Sequence, residues 1–459
     1  MSLVLIENGT LVTMGADPEV IPDGAVLIRD GIIKAVGTRN EIRIDGAGRS
    51  QAGRSQAGRR EKVEIIDAGG RVVMPGFCCA HHHLYSTLAR GAPLPGFNPA
   101  SFMDILEGLW WKLDRALLPG DLYLSAVPAL LSGVRQGMTS LIDHHESQGY
   151  QEGVLDEIAA GCRDVGVRAI LSLGASDRDG KGAAGVTENS RFLRELDDSG
   201  LVSGMMGLHA SFTVDDETLA ACVEAASEFG VGVHTHLAED PVDQEETRRR
   251  FGLSATERLH RAGALGLKSL VAHGLHLSDS ELEILAATST SVVINPESNL
   301  NNAVGCPNLL NLLDHGIQVA LGTDGMSSDI RGQLWTTFLL QRHLRQDPSS
   351  GMGETWNLLE SNSRLFHRLS RVHIGTLAPD AAADIIILDY DPPTDFDTSN
   401  LVGHFFFGML RAPVHLTMIN GRVICHEGNI LTVDESEILG RSRQAARKLW
   451  SRMNTTTRD

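Results

Sequence analysis

The chain has 459 residues, 42% of them hydrophobic and 21% charged, so a large folded core is expected and a disordered chain is excluded. Lys and Arg total 40 against 58 for Asp and Glu, and the resulting charge of −18 argues against binding to nucleic acid. No apolar run is long enough for a membrane span, and no signal peptide is recognisable. The 6 cysteines lack CxxC spacing. Together these features predict a cytoplasmic protein without a membrane partner.

Short β-rich runs separated by tight turns occupy residues 1–73. Asn-Gly or Asp-Gly dipeptides at 8–9, 23–24 and 30–31 separate these runs, and such dipeptides favour hairpin turns. Residues 47–60 hold a five-residue unit in tandem, AGRSQ AGRSQ AGRR, which we interpret as a solvated loop lengthened by duplication. The segment is therefore predicted to form the N-terminal part of a small β domain.

Residues 74–372 alternate between apolar strand-like runs and helix-like segments. Eight such units predict an α/β fold with a (β/α)₈ TIM-type barrel as the catalytic domain. The predicted strands end near Ala80, Asp143, Leu173, His209, His236, His273, Asn295 and Thr323. The longest connection follows the first strand and is long enough to fold over the mouth of the barrel.

The C-terminal part of the chain returns to β character. Residues 373–434 contain strand-like runs and an Asn420-Gly421 hairpin turn, so we expect them to complete a small β-sandwich domain built from both chain ends. Residues 435–459 are predicted to form a closing helix and tail, because their apolar positions are loosely periodic.

Metal-ligand side chains concentrate where the predicted barrel strands end, which is the rim that carries catalysis in this fold. His81 and His83 alternate along a strand, so both point to one face while His82 points away. His236 lies at the end of the fifth strand, and Asp324 follows the eighth. Such residues suit one divalent ion, and a polar histidine cluster without metal is the alternative.

Other rim residues are candidates for proton transfer. Glu239 lies where the fifth strand gives way to a loop, within reach of whatever the metal activates. His273 and His209 end the sixth and fourth strands. A single histidine at such a position more often has a structural role than a functional one. Because both lie at strand ends of the same predicted barrel, a role in the site is favoured. His234 shares a face with His236 and could simply fill the barrel interior.

Three more residues are candidates for substrate binding beside His209. Arg178, after the third strand, could bind a substrate carbonyl or carboxylate, or form a loop ion pair. Trp110 could stack on a planar ring or lie in a helix core. Ser327 could donate a hydrogen bond near Asp324, although a solvated loop position is the alternative.

The order of these motifs resembles the amidohydrolase superfamily, specifically its mononuclear cytosine/guanine deaminase and chlorohydrolase branch. HxH follows MPGF, HxxE and a further His come later, and GTDG comes last. The motifs LWWKLDR at 109–115, IDHH at 142–145 and NNAVG at 301–305 are similar to those of SsnA-type aminohydrolases.

The resemblance implies specific roles for the rim residues. It implies four ligands for one divalent metal ion, zinc or sometimes iron: His81, His83, His236 and Asp324. Glu239 and His273 would handle protons with the help of Asp324, and His209 would contact the substrate. None of the lysines lies at a predicted strand end, which argues against the lysine-bridged two-metal site of binuclear relatives.

The function that the resemblance implies is metal-dependent hydrolysis of C–N bonds. Deamination of an N-heterocycle of purine, pterin or pyrimidine type is the leading reading. One alternative is ring opening of a cyclic amide or amidine, or dechlorination, at the same site; the other is an inactive barrel that serves as an interaction protein. The expected partner is a small heterocyclic substrate, and the resemblance implies a homo-oligomer.

Overall fold

The computed structural model describes residues 2–42, 53–54, 60–61, 63–197 and 200–455. Most of the tandem repeat and the last four residues of the predicted tail, 456–459, lie outside the described residues. Within the described part of the chain, no single helix is long and apolar enough to cross a membrane. Two helical segments meet the length and apolar requirement only when taken together: Phe102–Ala116 and Asp121–Arg135. They are joined at a 115° bend, and the second packs in the core.

Strands from the N-terminus begin the small β domain. They are β1 (Leu3–Val12), β2 (Val20–Arg29), β3 (Ile32–Thr38), β4 (Gly53–Arg54), β5 (Arg60–Glu61), β6 (Val63–Asp67) and β7 (Val72–Pro75). The short strands β4 and β5 pair only with each other. Strand β7 extends past the predicted domain boundary at residue 73, because Met74 and Pro75 still pair with Ile386 and Ile385 of the same sheet.

The middle of the chain forms a parallel barrel. Its strands are β8 (Phe77–His82), β9 (Met138–His145), β10 (Arg168–Ala175), β11 (Val202–Gly204), β12 (Met206–Ala210), β13 (Val233–Leu237), β14 (Leu270–His273), β15 (Ser291–Ile294) and β16 (Val319–Leu321). Eight of them follow one another in the order β8-β9-β10-β12-β13-β14-β15-β16, and β11 pairs with β10. The predicted α/β fold with a TIM-type barrel is confirmed.

The barrel closes where the last strand returns to the first. Thr323 donates its backbone N–H to the carbonyl of His81 at 2.9 Å, and His82 and Asp324 form a parallel bridge. Gly322 permits this approach, because a Cβ there would lie 2.7 Å from the His81 carbonyl oxygen. Closure therefore brings the two chain-distant motifs of the predicted metal site side by side.

Helices cover the barrel and close the chain. They are α1 (Phe102–Ile105), α2 (Trp111–Ala116), α3 (Asp121–Arg135), α4 (Val154–Val165), α5 (Gly182–Glu195), α6 (Asp216–Phe229), α7 (Pro241–Phe251), α8 (Ala255–Ala262), α9 (Asp279–Thr288), α10 (Pro296–Asn301), α11 (Leu309–Asp314), α12 (Ile330–Arg345), α13 (Met352–Ser370), α14 (Leu401–Phe407) and α15 (Glu435–Thr455). The predicted closing helix is α15, whose Leu449 and Met453 are buried.

The C-terminal strands complete the sheet that the N-terminus begins. They are β17 (Ile385–Leu388), β18 (Val414–Ile419), β19 (Arg422–His426) and β20 (Asn429–Ile430). The strand order is β20-β19-β18-β17-β7-β1-β2-β3, so β17 and β7 join the two ends of the chain. The β3 edge of the sheet folds back towards the start of β17. There, Ile33 of β3 donates its backbone N–H to the carbonyl of Ala381, just before β17. The second sheet from both chain ends is thus as predicted.

Candidate active site

A cavity of about 820 Å³, counted with its open mouth, lies at the carboxyl ends of the barrel strands. Several metal-ligand side chains converge at its base: His81 within β8, His83 directly after it, His236 within β13 and Asp324 after β16. All four belong to strands whose carboxyl ends meet at this rim. Aromatic side chains form much of the surrounding wall, namely Tyr85, Phe102, Trp110, Trp111 and Phe212.

The donor atoms of this cluster have the spacing of ligands around one ion. His83 Nε2 lies 2.9 Å from Asp324 Oδ1, and His81 Nε2 lies 3.7 Å from the same oxygen. His236 Nε2 is 3.3 Å from His83 Nε2. Ligands bound to zinc at about 2.0–2.2 Å in a tetrahedron are separated by similar distances. His81 Nε2 is buried without a hydrogen-bond partner, which is the state expected of a ligand atom.

Hydrogen bonds orient two of these imidazoles towards the ion. The Nδ1 atom of His83 contacts the carbonyl oxygen of His144, and Nδ1 of His236 lies 2.7 Å from the carbonyl oxygen of His209. A carbonyl oxygen can only accept, so each Nδ1 carries the proton and each Nε2 presents a lone pair. Both rings are therefore held in the tautomer that can bind a metal.

The electrostatics of His83 and Asp324 also favour a cation between them. Burial acts to lower the pKa of His83, but the hydrogen bond to Asp324 and its charge outweigh burial and raise that pKa. Burial likewise opposes ionisation of Asp324, yet contact with His83 and His273 holds its pKa below the usual range. A positive charge, whether a proton or a metal ion, is thus stabilised between these two side chains.

Neighbouring histidines have supporting positions. His234 is fully buried, and its Nε2 lies 2.8 Å from Nδ1 of His81, so it fills the interior and orients that ligand. His82 points away from the cluster, as its alternation predicts, and its Nε2 bonds to Ser328 Oγ at 2.9 Å. His144 is also buried and bonds to the carbonyl of Leu208 at 3.0 Å.

His273 differs from the cluster in the atom that it presents. Asn299 Nδ2 donates to His273 Nδ1 at 2.8 Å, so the proton of this imidazole lies on Nε2. That Nε2 faces Glu239 Oε2 at 3.4 Å and Asp324 Oδ2 at 3.9 Å. His273 can therefore donate a hydrogen bond towards both carboxyl groups, as a residue that positions protons does.

Glu239 is a carboxyl group on the cavity wall, and its side chain is 13% exposed. Burial and the nearby charge of Asp324 raise its pKa well above the ordinary value. Asn302 Nδ2 donates to its Oε1 at 3.3 Å and limits its orientation. A glutamate that binds a proton readily and faces a cavity can act as a general acid or base.

Backbone strain is concentrated at the strand ends of the site. Ala238, His273 and Asp324 have φ values of 49°, 77° and 53°, a region that side-chain-bearing residues rarely adopt. Each such residue costs on the order of 1–3 kcal/mol and persists only where the surrounding fold compels it. In this barrel the three residues lie directly before Glu239, at His273 and at Asp324, and His273 Nε2 lies 3.4 Å and 3.9 Å from the two carboxyl groups.

The predicted substrate-binding residues divide into two groups. His209 and Trp110 line the cavity, and His209 Nδ1 lies 2.7 Å from Thr213 Oγ1. Arg178 and Ser327 are not among the residues that line it, so their contact with substrate stays a prediction. The guanidinium of Arg178 forms a buried ion pair with Asp114 at 2.6 Å, the alternative left open by the sequence. Ser327 lines a neighbouring surface pocket.

Helix α10 and the residue after it supply further hydrogen-bond partners to the site. Ser298 Oγ donates to Asp324 Oδ2 at 2.5 Å, in addition to the contacts of Asn299 with His273 and of Asn302 with Glu239. The run of polar residues after the seventh predicted strand was the available signal. Without a fold, each of them was more simply read as a solvated loop residue.

Comparison with known proteins identifies the family. Residues 72–424, more than half of the chain, match the Amidohydrolase family. The chain belongs to this family, whose members use a metal ion, and it is a hydrolase that acts on C–N bonds. The predicted superfamily is confirmed, while the SsnA-type subgroup stays a prediction.

Relatives of known activity match over nearly the whole chain. A 5-methylthioadenosine/S-adenosylhomocysteine deaminase of Pelotomaculum thermopropionicum is 29% identical over 461 residues, which cover 98% of this chain and 100% of that protein. The structure of an adenosine deaminase from Xanthomonas campestris with bound zinc superposes with a TM-score of 0.80 at 21% identity, covering 98% of both chains. Atrazine chlorohydrolase from Arthrobacter aurescens TC1, complexed with zinc, superposes with a TM-score of 0.80 at 20% identity, covering 96% of this chain and 100% of that one.

Proposed function

We propose that the protein is a metal-dependent aminohydrolase that releases ammonia from an N-heterocycle, with a purine-type ring as the first candidate. The observation that carries the proposal is the placement of Glu239 and His273 beside the ligand cluster at the base of one cavity. The aromatic wall of that cavity suits a planar ring. The deaminases of adenosine-type compounds among the relatives support a purine.

The ligands of the proposed single ion are His81, His83, His236 and Asp324. Three imidazole nitrogens and one carboxylate form a donor set that suits zinc, and the similar adenosine deaminase contains zinc. When bound, a divalent ion at this position supplies Lewis-acid activation of water. Zinc is therefore our proposal for the metal, with iron as the other candidate.

The proton transfers of the proposed reaction belong to Glu239, His273 and Asp324. Glu239 delivers a proton to the ring nitrogen next to the carbon that is attacked, since its raised pKa disposes it to hold one. Asp324 accepts the proton that the attacking water loses, while His273 keeps its Nε2 proton directed at that water and at Asp324. Glu239 and Asp324 then pass a proton to the leaving amine, and His209 contacts the ring.

We further propose a homo-oligomer in the cytoplasm. Support for the location comes from the six cysteines, all of which are free thiols and five of which are buried. Support for oligomerisation comes from the exposed apolar side chains of Leu339 on α12 and Phe407 on α14, which are 46% and 66% exposed.

The test is ammonia release by the zinc-loaded protein from a panel of aminopurines, aminopterins and cytosine derivatives. We expect release from one ring class. In Glu239→Gln, kcat should fall by about 10²- to 10⁴-fold with one metal ion per chain retained, because only the proton carrier is removed. The matched control is Glu188→Gln, which changes a buried carboxyl on α5 that pairs with Arg191 away from the cavity.

Two results would contradict these assignments. Unchanged kcat in Glu239→Gln would remove that residue from the reaction. No ammonia from any compound, with one metal ion per chain confirmed, would refute deamination of these rings. Release of chloride or opening of a cyclic amide in a second panel would then establish the alternative chemistry of the same site.

A further inference from the structure

The cavity wall contains another buried carboxyl group, Glu146, for which the proposed reaction has no role. Glu146 follows β9, lines the same cavity as Glu239 and is only 3% exposed. Neither of its carboxyl oxygens has a hydrogen-bond partner. Since an unpartnered buried carboxyl is costly, its presence in a binding cavity requires an explanation.

The chain leaves space for this carboxyl group. A Cβ on Gly174 would lie 1.9 Å from Glu146 Oε1, so only a glycine at this point of β10 accommodates the side chain. His144 Nδ1 is 3.4 Å from the same oxygen. The neighbouring cation Arg178 pairs with Asp114 at 2.6 Å and makes no hydrogen bond to Glu146.

A second metal ion is a poor explanation for Glu146. A ring nitrogen of His209, one of His236 and an oxygen of Glu146 lie within 4.8 Å of one another, which by distance alone would suit a cation. However, His236 donates through Nδ1 to a carbonyl, and its single remaining lone pair on Nε2 faces the first ion site. The group therefore lacks the third ligand that an independent site needs.

His209 presents an acceptor next to Glu146. The hydroxyl of Thr213 donates to the carbonyl of Ala210 at 3.0 Å, so it accepts from Nδ1–H of His209. The Nε2 atom of His209 then carries a lone pair. Glu146 and His209 together form an acceptor-rich patch on the wall, which needs donors from a ligand.

We propose that Glu146 is a specificity-determining residue that accepts a hydrogen bond from an N–H donor on the heterocycle. This inference rests on the proposed function for the position of the ring. The donor is a second amino group or ring N–H on the side of the ring away from Glu239, because Glu146 follows β9 and Glu239 follows β13, with β10 and β12 between them.

Because Glu146 lies deep in the cavity, we expect its partner to be the ring itself and not a substituent far from the reacting atoms. Its carboxyl group lies within 4.8 Å of an imidazole nitrogen of His236, which is a proposed metal ligand. The reacting ring must rest against those ligands. A sugar or side chain attached to the ring would extend towards the open mouth, so the substrate class we infer is a heterocycle that bears a second N–H donor.

The test compares adenine with 2,6-diaminopurine, or the equivalent pair if another ring class is the substrate. The wild-type protein should prefer the ring with the second amino group by about 2- to 10-fold in kcat/KM, the usual net value of one hydrogen bond. Glu146→Gln should lose this preference mainly through KM, since a specificity contact adds binding without changing the chemical step. Gly174→Ala should have the same effect, because the added Cβ would displace the Glu146 carboxyl group and supply no acceptor in its place.

Equilibrium binding of the two products, hypoxanthine and guanine, provides a readout without turnover. Guanine should bind more tightly than hypoxanthine to the wild type, and the difference should vanish in Glu146→Gln but persist in Glu188→Gln. The inference is overturned if Glu146→Gln keeps the wild-type preference in both assays, or if neither the wild type nor Glu146→Gln prefers guanine. In either case, ammonia release by the wild type would leave the proposed function intact. A binding preference for guanine that is lost in Glu146→Gln, without ammonia release from any compound, would support the inference and contradict the proposed function.

Discussion

At the scale of single residues, the site is defined by which ring nitrogen each histidine presents. Main-chain carbonyls fix the protons of His83 and His236 on Nδ1, whereas Asn299 fixes that of His273 on Nε2. Two histidines therefore present lone pairs and the third presents a proton. The difference separates the proposed metal ligands from the proposed proton-handling residue more sharply than proximity does, because the His236 ring lies within about 6 Å of both the His83 and the His273 rings.

The three consecutive histidines offer a matched test of this division. His83→Ala should lower the affinity for the metal by more than about 100-fold, because loss of an outer partner of a ligand alone costs about 10- to 100-fold. His82→Ala should retain the metal, since that ring bonds to Ser328 on the other side of the strand. Metal per chain after dialysis against a graded chelator measures both. Equal losses in the two variants would contradict the assignment of ligands.

At the scale of elements, helix α7 holds the loop that carries Glu239. Asp243, in the first turn of α7, accepts the backbone N–H of Ala238 at 2.7 Å, and Ala238 has a φ of 49°. The carboxylate thus helps to hold a strained residue directly before Glu239. Its burial raises the pKa of Asp243 to about 6 from the usual 3.8.

The raised pKa of Asp243 predicts a pH effect on stability. The folded protein binds this proton more tightly than the unfolded chain, so the contribution of Asp243 to stability falls as the pH rises from about 4 to about 6 and is constant above. Asp243→Asn keeps an acceptor but cannot ionise. The free energy of unfolding of the variant should therefore rise relative to the wild type across this window, as measured by urea unfolding of the metal-free proteins. A constant difference from pH 4 to pH 7 would refute the raised pKa.

Sequence patterns anticipated some of these elements better than others. Apolar runs mark the barrel strands because parallel strands are buried on both faces, and the histidines and Asp324 at their ends follow directly. The partners on α10 were hidden because Ser298, Asn299 and Asn302 acquire their meaning only when β14, β15 and β16 bring them against the site. The sequence left an ion pair of Arg178 open but could not name its partner, because Asp114 lies on α2, far away in the chain.

At the scale of the whole molecule, one buried ion pair joins the barrel to the small β domain. Arg168 opens β10 at the end of the barrel opposite the cavity, and its Nε donates to Asp384 Oδ2 at 2.6 Å. Both side chains are at most 3% exposed. Asn420 adds contacts to each partner: its side chain accepts from Arg168, and its backbone N–H donates to Asp384. The pair is thus embedded in the interface between the two domains.

Removal of one partner should weaken the molecule without altering its chemistry. Asp384→Ala leaves the Arg168 guanidinium buried and unpaired, which we expect to lower the free energy of unfolding by about 3–5 kcal/mol. The control Arg249→Ala breaks an exposed pair with Glu246 on α7 and should cost less than about 1 kcal/mol. Urea unfolding measures both. Because the ion pair lies at the opposite end of the barrel from the cavity, kcat/KM of the folded Asp384→Ala protein should match the wild type; a large fall would show that the small β domain also controls the geometry of the rim.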